Sequence, residues 1–307
     1  MWGALLWLGI VASGVFVAVV LWFQERERPR HVLEERERWY VADVDSGRRE
    51  RFGSLFDEAS VDLTVVVPAY NEELRITRML DEATEYLASR GPALSWEVIV
   101  VDDGSRDRTA EVVQAYAARR GGLPVRVMRL ARNKGKGGTV RCGMLAGRGR
   151  LLLMADADGA TRFSDVARLE AALLPPRGLA VGSRAHVVSE AVARRTALRN
   201  LLMRAFHLVV RWVGVAGVRD TQCGFKLFSR AAARLIFPAL HVERWAFDVE
   251  MLWIAQGLEL PVAEVPVNWQ EIDGSKLDPL TASLEMLLDM VRIKLAYMFG
   301  IWRLQIS

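Results

Sequence analysis

The chain has 307 residues, 51% of them hydrophobic, and its 41 Lys+Arg against 37 Asp+Glu leave a formal net charge of +4. That composition excludes a disordered tail protein, and the small, dispersed positive excess argues against a dedicated nucleic-acid binder, which carries a basic stripe. Two cysteines, Cys142 and Cys223, exclude a disulfide scaffold and a Cys-rich zinc site, and point to a reducing compartment.

Residues 1–24 contain no charged side chain. At 1.5 Å per residue an apolar helix of about 22 residues spans a bilayer core of roughly 30 Å, so this stretch is expected to be a retained transmembrane anchor. It is longer than the apolar part of a cleaved signal peptide and lacks a basic leader. Trp2, Trp7 and Trp22 lie near its two ends, as in an interfacial belt. Arg26, Arg28 and Arg30 follow the span, which orients the bulk of the chain to the cytosol. From Glu25 to Arg51 eight arginines balance eight acids, so residues 25–60 are expected to be a solvated, charged stalk.

From Val61 the rhythm changes. LTVVVPAY has the pattern of a buried strand, and a helix is expected from Glu72 to Ser89. WEVIVVDDGS repeats the device, with a helix from about Asp107 to Arg119. VRVMRL, a helix near Gly138 to Ala146, and LLLMADADG supply the third and fourth strands. Strands alternating with helices predict an α/β domain with a mostly parallel central sheet flanked by helices. Ligands of such sheets bind at the carboxyl ends of the strands. The polar residues cluster there: Tyr70, Asn71 and Glu72, then Asp102 and Asp103, then Asp156 and Asp158.

The ligand is not read by a dinucleotide or P-loop device, because neither G-x-G-x-x-G after the first strand nor G-x-x-x-x-G-K-[ST] is present. Instead, two carboxylates leave a buried strand two residues apart, which is costly unless a cation sits between them. Mg²⁺ or Mn²⁺ takes one or two carboxylates and completes its shell with phosphate and water, which suits a nucleoside diphosphate donor.

VVVPAYNE, VIVVDDGSRDRT, NKGKGG and MADADGAT, in that order, resemble the GT-A-fold, inverting nucleotide-sugar glycosyltransferases of the large second family. VGSRAH, RDTQCGFKLFSR, HVERWAFDVE and VNWQEIDGSK narrow the resemblance to the branch that glycosylates a polyprenyl phosphate, and it runs from about Val61 to the C-terminus. The resemblance implies a catalytic domain over residues 61–278 and a donor pocket for UDP-glucose. Pro68, Tyr70, Glu72, Asp102 and Asp103 match the uracil and ribose pocket, and Gly104, Ser105, Lys136 and Ala157 are further candidates of the nucleotide-sugar site. Asp156 matches a ribose or sugar contact and a metal position, and Asp158 the principal metal ligand. Arg184 and Lys276 match cations near the phosphates. Arg184, Arg199, Gln222 and Lys226 are the acceptor-phosphate candidates, with Asp220 and Asp248 orienting cations or acting as a base. Where chain-elongating members carry Q-x-x-R-W, this chain reads His241-Val-Glu-Arg244-Trp245, and a pore cannot be built from one span.

A phosphate acceptor is already anionic at pH 7, so cations to hold it matter more than a general base. Two stretches suggest how a lipid is met. Asn200, Arg204, His207 and Arg211 recur at helical spacing, and Leu280, Leu284, Leu287, Val291, Leu295, Met298 and Trp302 form a stripe bordered by Arg292, Lys294 and Arg303. Residues 279–307 are therefore expected to be an amphipathic helix at the membrane interface. His186, His207 and His241 show no metal-ligand spacing and read as packing or hydrogen-bonding residues. The resulting expectation is inverting transfer of glucose from UDP-glucose to dolichyl phosphate, with a lipid bilayer and no nucleic acid as partner. Its site is the cytosolic face of the endoplasmic reticulum membrane. Mannosyl transfer from GDP-mannose and a tethered nucleotide-sugar-binding protein without turnover are the alternatives.

Overall fold

The computed structural model describes residues 34–43, 47–186, 208–272 and 279–304. The anchor expected at residues 1–24, Arg199 and Lys276 lie outside them. Among the described residues no helix is long and apolar enough to cross a membrane.

Seven strands form the central sheet: β3 (Val61–Ala69), β4 (Trp96–Asp102), β5 (Val125–Arg129), β6 (Gly149–Ala155), β7 (Leu179–Ser183), β8 (Phe225–Ser229) and β9 (Val262–Pro266). Their order is β5-β4-β3-β6-β8-β7-β9. All pairings are parallel except those of β8, which runs antiparallel to both β6 and β7. The mostly parallel sheet is thus what the alternating pattern predicts. The antiparallel strand is not, because FKLFS carries no local mark of direction.

Helices α1 (Ile76–Ser89), α2 (Thr109–Arg119), α3 (Gly135–Ala146), α4 (Val166–Ala172), α5 (Arg230–Ala239) and α6 (Phe247–Gly257) cover the sheet, and α7 (Pro279–Met298) follows β9. The strand alternation sorts the core between two faces. Leu63, Val65 and Val67 pack in one cluster with Ile76, Leu80 and Leu87 of α1. On the other face α3 comes so near that a Cβ at Gly143 would fall 2.4 Å from Val66 Cγ1. Only glycine permits that approach.

Three helix starts differ from the sequence expectation. α1 begins at Ile76 rather than Glu72, because Asn71 takes a left-handed φ of 56° and residues 72–75 form a turn. α2 begins at Thr109, whose N–H is taken by Asp107 Oδ1 at 3.0 Å. α3 begins three residues early, at Gly135, because Asp103 supplies acceptors for the orphan N–H groups of its first turn.

The charged stretch is not a solvated stalk from Glu37 onward. Strands β1 (Trp39–Asp43) and β2 (Arg48–Arg51) pair as a hairpin. Tyr40 packs tilted against Phe52 with ring centroids 4.9 Å apart and lies under the Arg126 guanidinium of β5 at 5.0 Å. Leu55 is fully buried. Arg230 and Arg234 then clasp the carbonyl oxygens of Ser54, Leu55, Phe56 and Asp57. Charge counting misses this because the partners are backbone carbonyls more than 170 residues away in sequence.

Candidate active site

The carboxyl ends of β3, β4, β6 and β7 converge, and the loops leaving them carry the polar residues. After β3, Tyr70 is exposed and Pro68 half-buried. Asn71 N–H donates to Ser105 Oγ at 2.8 Å, and its Oδ1 accepts from Arg106 N–H at 2.7 Å. The left-handed turn is thereby knitted to the loop after β4. The Glu72 carboxylate is held by Arg75 through two bonds of 2.6 and 2.7 Å.

After β4, both aspartates are buried, but they serve differently. Asp102 accepts from Ser105 N–H at 3.3 Å, and burial pushes its carboxyl above the usual range. Asp103 turns into the NKGKGG loop, where Oδ1 accepts from Lys134 N–H at 2.6 Å and Oδ2 from Gly135 N–H at 3.0 Å. Burial pushes Asp103 up to about 6 despite those two bonds. Its carboxylate builds the loop, whereas the sequence expectation placed it among the nucleotide contacts. Gly104, with φ of +70°, lets the chain pass Asn133, whose N a Cβ would meet at 3.3 Å.

After β6, Asp156 Oδ1 lies 2.7 Å from Lys136 Nζ. Ala157 between the acids is buried, and Asp158 Oδ1 accepts from Ala160 N–H at 2.9 Å. Burial works against the Lys136 charge, but Asp156, Asp248 and Asp158 together hold its pKa above the ordinary value. Sequence reasoning missed Gly224. A Cβ there would fall 1.9 Å from Asp156 Oδ2, so the carboxylate occupies the room that glycine leaves. Its only local signal is the CGF triplet that precedes a strand.

After β7, Arg184 is gripped by Asp220 through Nε at 2.8 Å and Nη2 at 2.9 Å, with its backbone N–H on the same carboxylate. The guanidinium lies 5.5 Å from the centre of the Trp269 ring. Burial opposes ionisation of both partners, yet their pairing holds Arg184 above and Asp220 below their ordinary values. Arg184 remains partly exposed on its outer side.

Two expected acceptor residues are placed elsewhere. Lys226 is fully buried, and its ammonium is spent on Asp248 Oδ1 at 2.5 Å and the Cys223 carbonyl at 2.6 Å. Burial raises the Asp248 pKa while Lys226 and Lys136 pull it down. A buried ammonium so enclosed presents no proton to a lipid phosphate. Gln222 directs its amide toward Met286 Sδ of α7 at 3.0 Å.

The donor set at the β6 end fits a hard divalent cation. Asp156 and Asp158 offer carboxylate oxygens only, and Asp158 commits only one oxygen to a backbone N–H among the described residues. Among the described residues no group of three or more His, Cys, Asp or Glu gathers for a metal. The remaining ligands would have to come from a diphosphate and water, as Mg²⁺ and Mn²⁺ prefer at nucleotide sites.

Comparison with known proteins agrees with this geometry. Residues 64–237 match the model of glycosyl transferase family 2. The chain is 47% identical over 303 residues to the dolichyl-phosphate beta-glucosyltransferase of Homo sapiens, covering 96% of this chain and 93% of that one. It is also 47% identical over 283 residues to the enzyme of the same name from Dictyostelium discoideum, covering 88% and 86%. Among solved structures, glucosyl-3-phosphoglycerate synthase from Mycobacterium tuberculosis with uridine diphosphate superposes with a TM-score of 0.57 at 21% identity. That match covers 76% of this chain and 80% of the other, and it is a likeness of fold. With its parallel sheet, its strand-end carboxylates and these full-length relatives, the chain belongs to glycosyl transferase family 2.

Proposed function

We propose that this glycosyltransferase moves glucose from UDP-glucose to dolichyl phosphate with inversion, giving dolichyl β-D-glucosyl phosphate and UDP. The observation that carries the reading is 47% identity over 96% of the chain to a protein of that activity by name. Further support for a UDP-glucose donor comes from the solved M. tuberculosis synthase, which was crystallised with Mn²⁺ and UDP-glucose.

The chemistry follows from the strand ends. An acceptor phosphate oxygen displaces UDP at the anomeric carbon, so one C–O bond forms as another breaks and the configuration inverts. The nucleophile is already anionic, and no side chain has to remove a proton. Asp158 and Asp156 would hold Mg²⁺ or Mn²⁺, which supplies charge neutralisation for the departing diphosphate. Arg184, fixed by Asp220, is the cation placed to draw an anionic acceptor toward an anionic donor. A guanidinium presents a fork to phosphate oxygens, and Asp220 removes the entropy of orienting it. Lys136 balances Asp156 and so limits repulsion within the carboxylate pair. Arg199 and Lys276 are further phosphate contacts in this reading. Residues 1–24 anchor the enzyme in the endoplasmic reticulum membrane with the catalytic domain in the cytosol.

A donor panel tests the reading. Purified protein, Mn²⁺ and a polyprenyl phosphate are incubated with UDP-glucose, UDP-galactose, UDP-N-acetylglucosamine and GDP-mannose. Glucosyl lipid should dominate; product from GDP-mannose alone would overturn the assignment.

A further inference from the structure

From Glu37 onward, the chain that precedes the sheet is fastened to the donor side of the site. Glu37 is fully buried, and its Oε2 lies 2.8 Å from Lys134 Nζ. Its Oε1 accepts from Ala131 N–H at 2.7 Å. Lys134 is also the residue whose N–H Asp103 takes, and Gly135 beside it donates to the same carboxylate. Residues 131–135 are therefore held by two buried carboxylates, one from the strand end of β4 and one from 97 residues upstream of Lys134. One residue past that grip, Lys136 reaches Asp156.

Glu37 cannot drift, because the hairpin that follows it is docked on β5 through Tyr40 and Arg126. On the far side, Gly138 N–H bonds the Glu243 carbonyl at 2.9 Å, and a Cβ at Gly135 would meet that same oxygen at 2.8 Å. The loop is thus wedged between residues 241–245 and the N-terminal segment. A buried ion pair is a poor source of net stability, since desolvation offsets its attraction. What it does provide is direction: it sets where the Lys134 peptide sits and, through it, where Lys136 points.

We infer that Glu37 is a positioning residue for the donor site, acting through Lys134 on the 131–136 loop. Glu37 and the hairpin after it are then part of the site. This rests on the UDP-glucose reading of that site.

The test uses the full-length protein with Glu37→Gln, Glu37→Asp and the double variant Glu37→Gln/Lys134→Met. Affinity for UDP with Mn²⁺ is measured by calorimetry, alongside separate KM values for UDP-glucose and a prenyl phosphate. Glu37→Gln is expected to weaken UDP binding and raise the donor KM by about tenfold, the scale of one lost coupling. The lipid KM should stay within about twofold, because the loop faces the donor. Glu37→Asp, which keeps the carboxylate one methylene short, should fall between. The double variant leaves no unpaired buried charge, so it should fold while keeping the weakened UDP affinity. Native UDP affinity in both Glu37→Gln and the double variant, whatever their melting temperatures, overturns the inference alone. So does an equal rise in both KM values, which marks general loosening. A native chain that binds no UDP overturns the functional reading and this inference together.

Discussion

Asp103 couples the acidity of a single group to the shape of the donor loop. Burial pushes its carboxyl up to about 6, above its value in an unfolded chain. The folded state therefore takes up a proton that the unfolded state releases. Ionised Asp103 costs stability at pH 7, and that cost is relieved as the pH falls from about 6 toward about 4. Function moves the other way, since a protonated carboxyl accepts the Lys134 and Gly135 N–H groups less well. The donor KM should rise below about pH 6, and Asp103→Asn should flatten that rise while raising KM at pH 7. Steady-state kinetics across pH 5–8, with urea unfolding of both proteins, checks both signs. Gly224 makes a sharper case. Gly224→Ala puts a methyl where the Asp156 carboxylate stands, so the carboxylate must swing away from its place beside Lys136. We expect turnover to fall by about a hundredfold, comparable with losing one strong charge contact at the transition state. Circular dichroism should remain native. An alanine variant with native turnover would show that Asp156 is free to move.

The C-terminal helix shows how an element can obey a pattern and still surprise. Of the expected stripe, Leu284, Leu287 and Met298 are exposed, joined by Leu288, Phe299 and Ile301. Val291 and Leu295 are half-buried, and Trp302 is buried, stacked on His241 at 4.2 Å. Arg292, expected at the border of the stripe, is buried with its guanidinium 5.1 Å from that indole. Met290, Ile293 and Ala296 form the inward face. The periodicity locates a helix with apolar residues; which apolar residues face inward depends on α6 and its neighbours. Tyr297 sits on Trp253 at 3.7 Å and donates to Glu250, which also takes the His241 and Val242 N–H groups. In the proposed membrane-bound enzyme these exposed leucines would meet the bilayer surface, where each buried apolar side chain contributes about 1.5–3 kcal/mol. Leu287→Glu with Leu288→Glu should lower activity on bilayer-embedded dolichyl phosphate at least about tenfold. Activity on a short soluble prenyl phosphate should persist. Vesicle flotation reads the same change directly.

At the scale of the molecule, the seven-stranded sheet carries the site, and among the described residues no strand of it lies before Val61. Deleting residues 1–24 should therefore leave the sheet and UDP affinity intact while reducing turnover of membrane-embedded acceptor. Loss of UDP binding in that truncation, measured by calorimetry, would make the apolar segment part of the folded core. Deletion through residue 38 is a different matter, because it removes Glu37 and leaves the Lys134 ammonium buried without its partner. Breaking such a pair from one side costs about 3–5 kcal/mol, a large share of a domain's stability.

The sequence by itself determined the alternation of strands and helices, the polar residues at strand ends, and the acids Asp156 and Asp158. Those are local signals: an apolar run, a stop and a charge are written in neighbouring residues. Arg184 was singled out by the family resemblance together with its place as the first residue after a buried strand. Tertiary structure alone decided that β8 runs antiparallel, that Lys226 turns inward to Asp248, and that Asp103 serves the loop. It also decided that Gly224 makes room for Asp156 and that Glu37 reaches Lys134. Each of these depends on segments that meet only once the chain has folded, and the buried charges among them take the partners that the fold brings to them. Composition cannot report that, because a charge in a polar-looking stretch and a charge in a buried pair read alike until the chain has closed around them.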